Sequence, residues 1–411
     1  MTRRLASLHN LDWEFTLLLG IVLVLPSLEA PKNIFWVFYV AAWLFNRARR
    51  SDYGGPWDGW DTLILAWIVS SYFIAFFAGQ PNDEWDGAND VLRYTSMLWL
   101  IKRSGYTALQ LNILLRAIVV AALLSLAWGL WNWLGSKSIK ALELNSVGHV
   151  NHSAIFMAIV FGTAASSLIA SLRQNRVWIF VGVLAVVSLG SAVFLSSSRA
   201  AVLAMLLLCL GLGLAWLKRS RWVLLILVLM VSTAATAAYL AKIEVVKKQQ
   251  INAQENNVLS YREGIWATAI TAWRKYPWFG VGMHNFNQIS PDETRAWVEE
   301  SGRSYNRNLY LNSSHAHSLY LNTLAERGAV GAGILLLVLL AWTITLLRRL
   351  PRKEDPYIAW ALWGSSFSAL FITVAVGFVN TTLHHEHGML AMLLLGMFLR
   401  SGDRRIASSA T

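Results

Sequence analysis

Residues 313–347 read SSHAHSLYLNTLAERGAVGAGILLLVLLAWTITLL. Two histidines, His315 and His317, stand at the start, and from Ala329 to Leu347 the chain is apolar and uncharged. A helix rises about 1.5 Å per residue and a hydrocarbon core is about 30 Å thick, so such a run is a candidate membrane span. Similar runs recur at 14–30, 33–46, 61–78, 91–102, 108–134, 153–171, 177–195, 200–217, 222–240, 357–379 and 387–400, which with 327–347 makes about twelve. Of the 411 residues 56% are hydrophobic and only 14% charged, too little polar surface for a water-soluble domain of that length. The expectation is an all-α, polytopic integral membrane protein.

Several of the 21 tryptophans fall near span ends, among them Trp13, Trp60, Trp131, Trp133, Trp216, Trp222 and Trp278. An amphipathic ring suits the headgroup layer. Trp342, in mid-span, reads as a core residue. With the N-terminus inside, the short cytoplasmic segments hold 19 Lys and Arg and the short external turns four, Lys32, Lys137, Lys140 and Arg199. That asymmetry predicts both termini in the cytoplasm. The net charge of +12 is then mostly a topology signal, and no nucleic acid partner is called for. The first 26 residues, MTRRLASLHNLDWEFTLLLGIVLVLP, lack a small-residue cleavage site and read as an uncleaved anchor. The single cysteine, Cys209, excludes an intrachain disulfide.

One polar segment interrupts the spans, residues 242–318. The expected layout is therefore 1–241 with spans one to nine, a periplasmic loop at 242–318, and 319–411 with spans ten to twelve, forming one membrane domain. Within the loop, YREGIWATAITAWRKYP places Ile265, Trp266, Ala269, Ile270 and Trp273 at helical spacing, an amphipathic pattern suited to lying on a membrane surface. Pro277, Gly280 and Gly282 mark a turn after it. If 317–331 is one helix, His317, Leu321, Leu324, Gly328 and Gly331 share a face, and the two glycines admit a second helix at close range.

His317-Ser318, nine residues, then Gly328-x-x-Gly331 resembles the H-[NSQ]-x9-G-x-x-[GTY] signature of the O-antigen ligase family. Its superfamily also holds O-antigen polymerases and protein O-oligosaccharyltransferases. SSSRAA at 196–201 and YREGIW…YPWFGVGMHNF at 261–286 resemble other recurrent stretches of that superfamily, and the layout of spans and loop is similar too. The resemblance covers roughly 191–350. It implies a GT-C-like glycosyltransferase that moves a glycan from a polyprenyl pyrophosphate to a hydroxyl at the outer face of the bacterial inner membrane.

Such a transfer needs a base for the acceptor hydroxyl and cations for the leaving pyrophosphate. A near-neutral imidazole serves the first need, and the permanently charged fork of arginine the second. The resemblance assigns the base to His317 and the pyrophosphate to Arg199 and Arg262. It implies undecaprenyl-pyrophosphate-linked O-antigen, lipid A-core and membrane lipids as partners, with no cofactor and no metal. A metal alternative is nonetheless written in PNDEWDGAND, where Asp83, Glu84 and Asp86 form the acidic pairs that hold divalent ions on phosphates, although Asp90 has a partner one turn on in Arg93. His384, His385, Glu386 and His387 are adjacent in a way that matches no standard helix-borne metal site. His149 and His152 open the sixth span and could line a donor path or cap the helix. A ligase is the leading reading. A polymerase or a protein O-glycosylating enzyme shares its chemistry, and a lipid or polysaccharide transporter shares the span count but would show matched broken spans in its two halves.

Overall fold

The computed structural model describes residues 12–77, 84–135, 141–144, 149–171, 176–196, 198–216 and 261–401. Within them the apolar runs are helical, the arrangement that satisfies every backbone N–H and C=O inside its own segment where water is excluded. No strand occurs among the described residues. In chain order the helices are α1 (Trp13–Val24), α2 (Glu29–Arg50), α3 (Gly59–Phe77), α4 (Glu84–Lys102), α5 (Ala108–Gly135), α6 (Val150–Ser171), α7 (Arg176–Leu195), α8 (Arg199–Trp216), α9 (Arg262–Lys275), α10 (Pro291–Glu300), α11 (Leu319–Arg348), α12 (Tyr357–Gly377) and α13 (His385–Ser401). Eleven of the twelve expected spans coincide with a helix; 222–240, like loop residues 242–260, lies outside the described residues. Among the described residues six helices, α3, α5, α6, α8, α11 and α12, are long and apolar enough to cross a membrane, and α1 and the Ile179–Leu195 part of α7 are shorter apolar helices.

Helix α2 runs past the apolar stretch that announces it at both ends, and Lys32 and Arg47 on its extra turns are paired. Lys32 on α2 forms a buried ion pair with Glu386 on α13, and Arg47 reaches Glu14 of α1 at 3.4 Å. Asp61, fully buried on α3, takes Lys102 at 3.0 Å and Arg103 at 2.6 Å. A buried charge left single costs several kcal/mol. These pairs pin helix ends that hydropathy alone would leave loose.

Helix α6 is the centre of the bundle, with Ala154 to Val160 each at most 1% exposed. It packs against α7, α8, α12 and α13. A Cβ on Gly162 would stand 2.4 Å from the Ser368 Cβ of α12, and one on Gly364 of α12 would stand 2.7 Å from the Ser166 Cβ of α6. Each helix thus offers a glycine to the other's serine, four residues apart, and the backbones close to a distance larger side chains would forbid. The serine hydroxyls turn inward, donating to the Gly162 and Gly364 carbonyls at 2.7 and 2.6 Å.

Trp13, Trp131 and Trp278 are exposed, as expected for span ends. Trp216 departs from that expectation: it is fully buried, its ring 4.3 Å from that of Trp360, because the last turn of α8 faces α12. The surface-lying reading of α9 is also corrected. Ile265, Ala269 and Ala272 enter a small separate core with Val281, Phe286, Ile289, Ala316 and Ala325, so the apolar face of α9 packs on the first part of α11 and the loop around it.

Candidate functional site

The signature helix is not continuous. Helix α11 breaks at Gly328, whose φ of 58° and ψ of −161° are non-helical, a conformation essentially reserved for glycine. A helix break strands carbonyls on one side and N–H groups on the other, and here the turn 277–282 supplies both sets of partners. Val281 N and Gly282 N donate to the Ala325 and Glu326 carbonyls at 2.9 and 3.1 Å. Ala329 N and Val330 N donate to the Pro277 and Trp278 carbonyls at 2.8 and 3.1 Å. The closeness this requires explains the glycines: a Cβ on Gly328 would lie 2.3 Å from the Trp278 carbonyl carbon, and one on Gly280 2.3 Å from that of Glu326. The two signature glycines therefore do not admit a second helix together. Gly328 receives the turn, and Gly331 makes room for the side chain of Arg327, whose Cβ would be 2.2 Å away.

His317 sits before the helix, not on it. Ser318 is the N-cap, its Oγ accepting from Leu321 N, and His317 takes a left-handed φ of 47°. The shared face with Leu321, Leu324, Gly328 and Gly331 is consequently not formed. The segment is instead pinned by Ala316 N donating to Asn322 Oδ1 at 2.9 Å and Leu319 N to the Asn380 carbonyl at 3.1 Å. Asn322 Nδ2 in turn donates to Glu326 Oε2 at 2.9 Å. Leu311 N donates to the Gly264 carbonyl at 3.1 Å, which draws this segment onto α9 and brings His317 toward Arg262.

Arg199 opens α8 and Arg262 opens α9. Burial, and then the like charge of Arg199, pull Arg262 below the usual arginine value. Burial, and then the guanidinium of Arg262, push His317 down to about 4, against a hydrogen bond to the Asn380 side chain that favours its charged form. The three residues singled out from sequence thus lie within electrostatic reach of one another in series. His317 Nδ1 is buried and has no hydrogen-bond partner. His315, also held near 4 by burial and by His317, has its ring 4.1 Å from that of His317.

Beside them is a cavity of about 480 Å³ whose wall includes His149, His152, His284, His315, His384 and His385, with Asp90, Glu326 and Arg327. Among the described residues, five of the six non-glycine residues with positive φ, Tyr261, His284, His317, Leu383 and His385, are at or next to this site, the sixth being Ser51. Strain of that kind, about 1–3 kcal/mol per residue, persists where packing over-determines it and gathers at functional sites.

The acidic alternative does not assemble among the described residues. Glu84 is buried and accepts from Asn285 Nδ2 at 2.9 Å, Asp86 is exposed, Asp90 pairs with Arg93 at 3.0 Å, and Asp83 lies outside them. Among the described residues, those that could hold an ion are His152, His384 and His385, with one nitrogen from each within 4.8 Å of the others. Sequence spacing concealed this set because its members come from α6 and from the turn that opens α13. Glu326 and Arg327 escaped notice as well, although a charged pair at the mouth of an apolar run was itself a signal. Arg327 Nη2 donates to Ser71 Oγ of α3 at 2.7 Å.

A family model described as O-antigen ligase matches residues 184–336, from α7 into the second part of α11, a stretch containing Arg199, Arg262 and His317. A search of curated proteins finds no match to the chain. Over residues 184–336, the segment that carries all three candidate residues, the chain is similar to the O-antigen ligase family.

Proposed function

We propose that the protein is an O-antigen ligase of the bacterial inner membrane, with about twelve spans, cytoplasmic termini and residues 242–318 in the periplasm. It transfers a glycan from undecaprenyl pyrophosphate to a sugar hydroxyl of lipid A-core. In the reaction, neutral His317 takes the proton of the acceptor hydroxyl as that oxygen bonds to the anomeric carbon. The bond from the anomeric carbon to the pyrophosphate oxygen breaks, its electron pair leaves with the pyrophosphate, and Arg199 and Arg262 stabilise the negative charge. No metal takes part in this transfer.

The observation that carries this reading is the series Arg199, Arg262, His317, each acting electrostatically on the next, on strained and hydrogen-bonded backbone beside a cavity. It has a functional corollary. In the free protein Arg262 depresses the basicity of His317; a bound pyrophosphate offsets that positive charge and restores basicity. The base is therefore strengthened when the donor arrives.

The test is transfer by purified protein in liposomes containing donor and acceptor. His317→Ala should still bind the lipid-linked donor and lose about 10²–10⁴-fold in transfer, the usual size of general-base catalysis. Near-normal transfer would remove the base from the account. A deletion strain separates ligase from polymerase: loss of a ligase leaves bare core and long glycan stranded on undecaprenyl pyrophosphate, whereas loss of a polymerase leaves core with a single repeat.

A further inference from the structure

Consecutive residues on a helix point about 100° apart, so His384 and His385 would ordinarily face different neighbours. Here they do not. Leu383 and His385 both take left-handed φ values, 57° and 45°, and between them the chain turns so that both imidazoles face His152 at the start of α6, with ring centroids 6.0 and 5.7 Å from its ring. The turn is held in that shape from outside. Glu386 is locked by its buried pair with Lys32, Gly388 N donates to the His384 carbonyl at 3.1 Å, and Thr382 Oγ1 donates to the Thr373 carbonyl at 2.8 Å. Strain of about 1–3 kcal/mol at each position is thus spent on bringing three imidazoles together.

One nitrogen from each of His152, His384 and His385 lies within 4.8 Å of the other two. Around a tetrahedral ion with bonds of about 2.1 Å, ligand nitrogens stand about 3.4 Å apart, so ring rotations that draw the nitrogens together by about an ångström complete the set. His384 Nδ1 is buried with no hydrogen-bond partner, which is costly for a polar atom unless something else occupies it. All three side chains line the 480 Å³ cavity, so the fourth position around an ion would open into that space.

We propose that His152, His384 and His385 form a binding site for a late first-row divalent cation of the Zn²⁺ class, with its remaining coordination position facing the cavity. The choice of ion follows from the ligands: three neutral imidazoles suit Zn²⁺, Cu²⁺, Ni²⁺ or Co²⁺ and give no oxygen to Mg²⁺ or Ca²⁺. Three protein ligands with one open position is the pattern of an exchangeable site, not of a closed structural one. Its mechanical effect is to tie the start of α6 to the turn that opens α13, two parts of the wall far apart in the chain. This site includes neither His317 nor the two arginines, and it does not rest on the general-base reading.

The test uses the full-length protein, purified without a histidine tag, stripped with chelator and titrated with Co²⁺ alone. The expected result is visible d–d absorption of tetrahedral intensity that saturates at one equivalent per chain and is abolished by Zn²⁺. His152→Ala and His384→Ala should each weaken binding by about 100-fold or more, beyond the loss seen on removing a group that only hydrogen-bonds a ligand. His384→Gln, which keeps a polar side chain of similar size, guards against misfolding and should fail in the same way. No absorption from the unaltered protein with excess Co²⁺ overturns the proposal without any variant. Absorption that survives in a folded His152→Ala, His384→Gln double variant overturns the ligand assignment. Failure of the transfer mechanism is read separately, from His317→Ala.

Discussion

Replacing Gly328 with alanine tests the broken helix at its weakest point. The added Cβ would meet the carbonyl carbon and oxygen of Trp278 at 2.3 and 2.4 Å and the Phe279 nitrogen at 2.5 Å, all backbone atoms that cannot swing aside. At φ 58° and ψ −161° alanine also carries about 1–3 kcal/mol of conformational strain. Two relaxations are open to the chain. Either the strain and overlap are kept, or the turn moves off and the four backbone hydrogen bonds between 277–282 and the break are lost, at about 1 kcal/mol each. Either path costs about 3 kcal/mol or more, a large share of a typical folding free energy of about 5–15 kcal/mol. Gly333 is the internal control: it lies on the same helix, a Cβ there meets nothing within 4 Å, and alanine should be neutral or stabilising by about 0.5–1 kcal/mol. The assay is thermal unfolding in detergent followed by tryptophan fluorescence, with transfer measured on the same samples. Gly328→Ala should melt well below the unaltered protein and Gly333→Ala at or above it. If the two variants melt within about 0.5 kcal/mol of each other, the idea that the turn is built into the helix break is wrong.

Because His317 in the free protein is held near 4 by burial first and Arg262 second, kcat/KM for the donor, which reports the free protein, should persist as pH falls through 6.5 and decline only toward 4. Arg262→Gln should move the acid limb upward by at most about one unit, since burial remains; an acid limb that stays at 6.5 in the unaltered protein would refute the assignment. The same sign applies to stability: neutral His315 and His317, with folded values of about 4 below the ordinary 6.5, favour the fold fully above pH 6.5 and progressively less as pH falls toward 4. Chemical denaturation at pH 7 and pH 5 should show that loss, and equal midpoints would contradict it. Arg199→Lys and Arg262→Lys keep a charge but lose the bidentate fork; each should lower transfer sharply, and intact transfer with lysine at both positions removes the pyrophosphate role. In intact cells a cysteine at exposed Asn308, with Cys209 buried, should react with an impermeant thiol reagent from the periplasm; reaction only from the cytoplasmic side reverses the topology.

Hydropathy determined the class of this protein and most of its helices, because a chain that enters lipid must satisfy its backbone locally and the required length is set by the bilayer. The run Ala329–Leu347 needs no tertiary partner to be recognised. The candidate residues Arg199, Arg262 and His317 were named through motifs that resemble those of the O-antigen ligase family, and the structure brings the three within electrostatic reach of one another. What sequence periodicity could not reveal is where a helix stops obeying its own period. Reading His317 through Gly331 as one helical face assumed unbroken i to i+4 bonding, whereas the bonds of residues 325–330 go to a turn roughly fifty residues earlier in the chain. Local pattern carries no information about a partner that distant. The same holds for the Gly162 and Gly364 exchange between α6 and α12, for the pairing of Lys32 with Glu386, and for three histidines that become a set only when the start of α6 reaches the turn that opens α13. Each depends on which surfaces meet, and packing alone decides that.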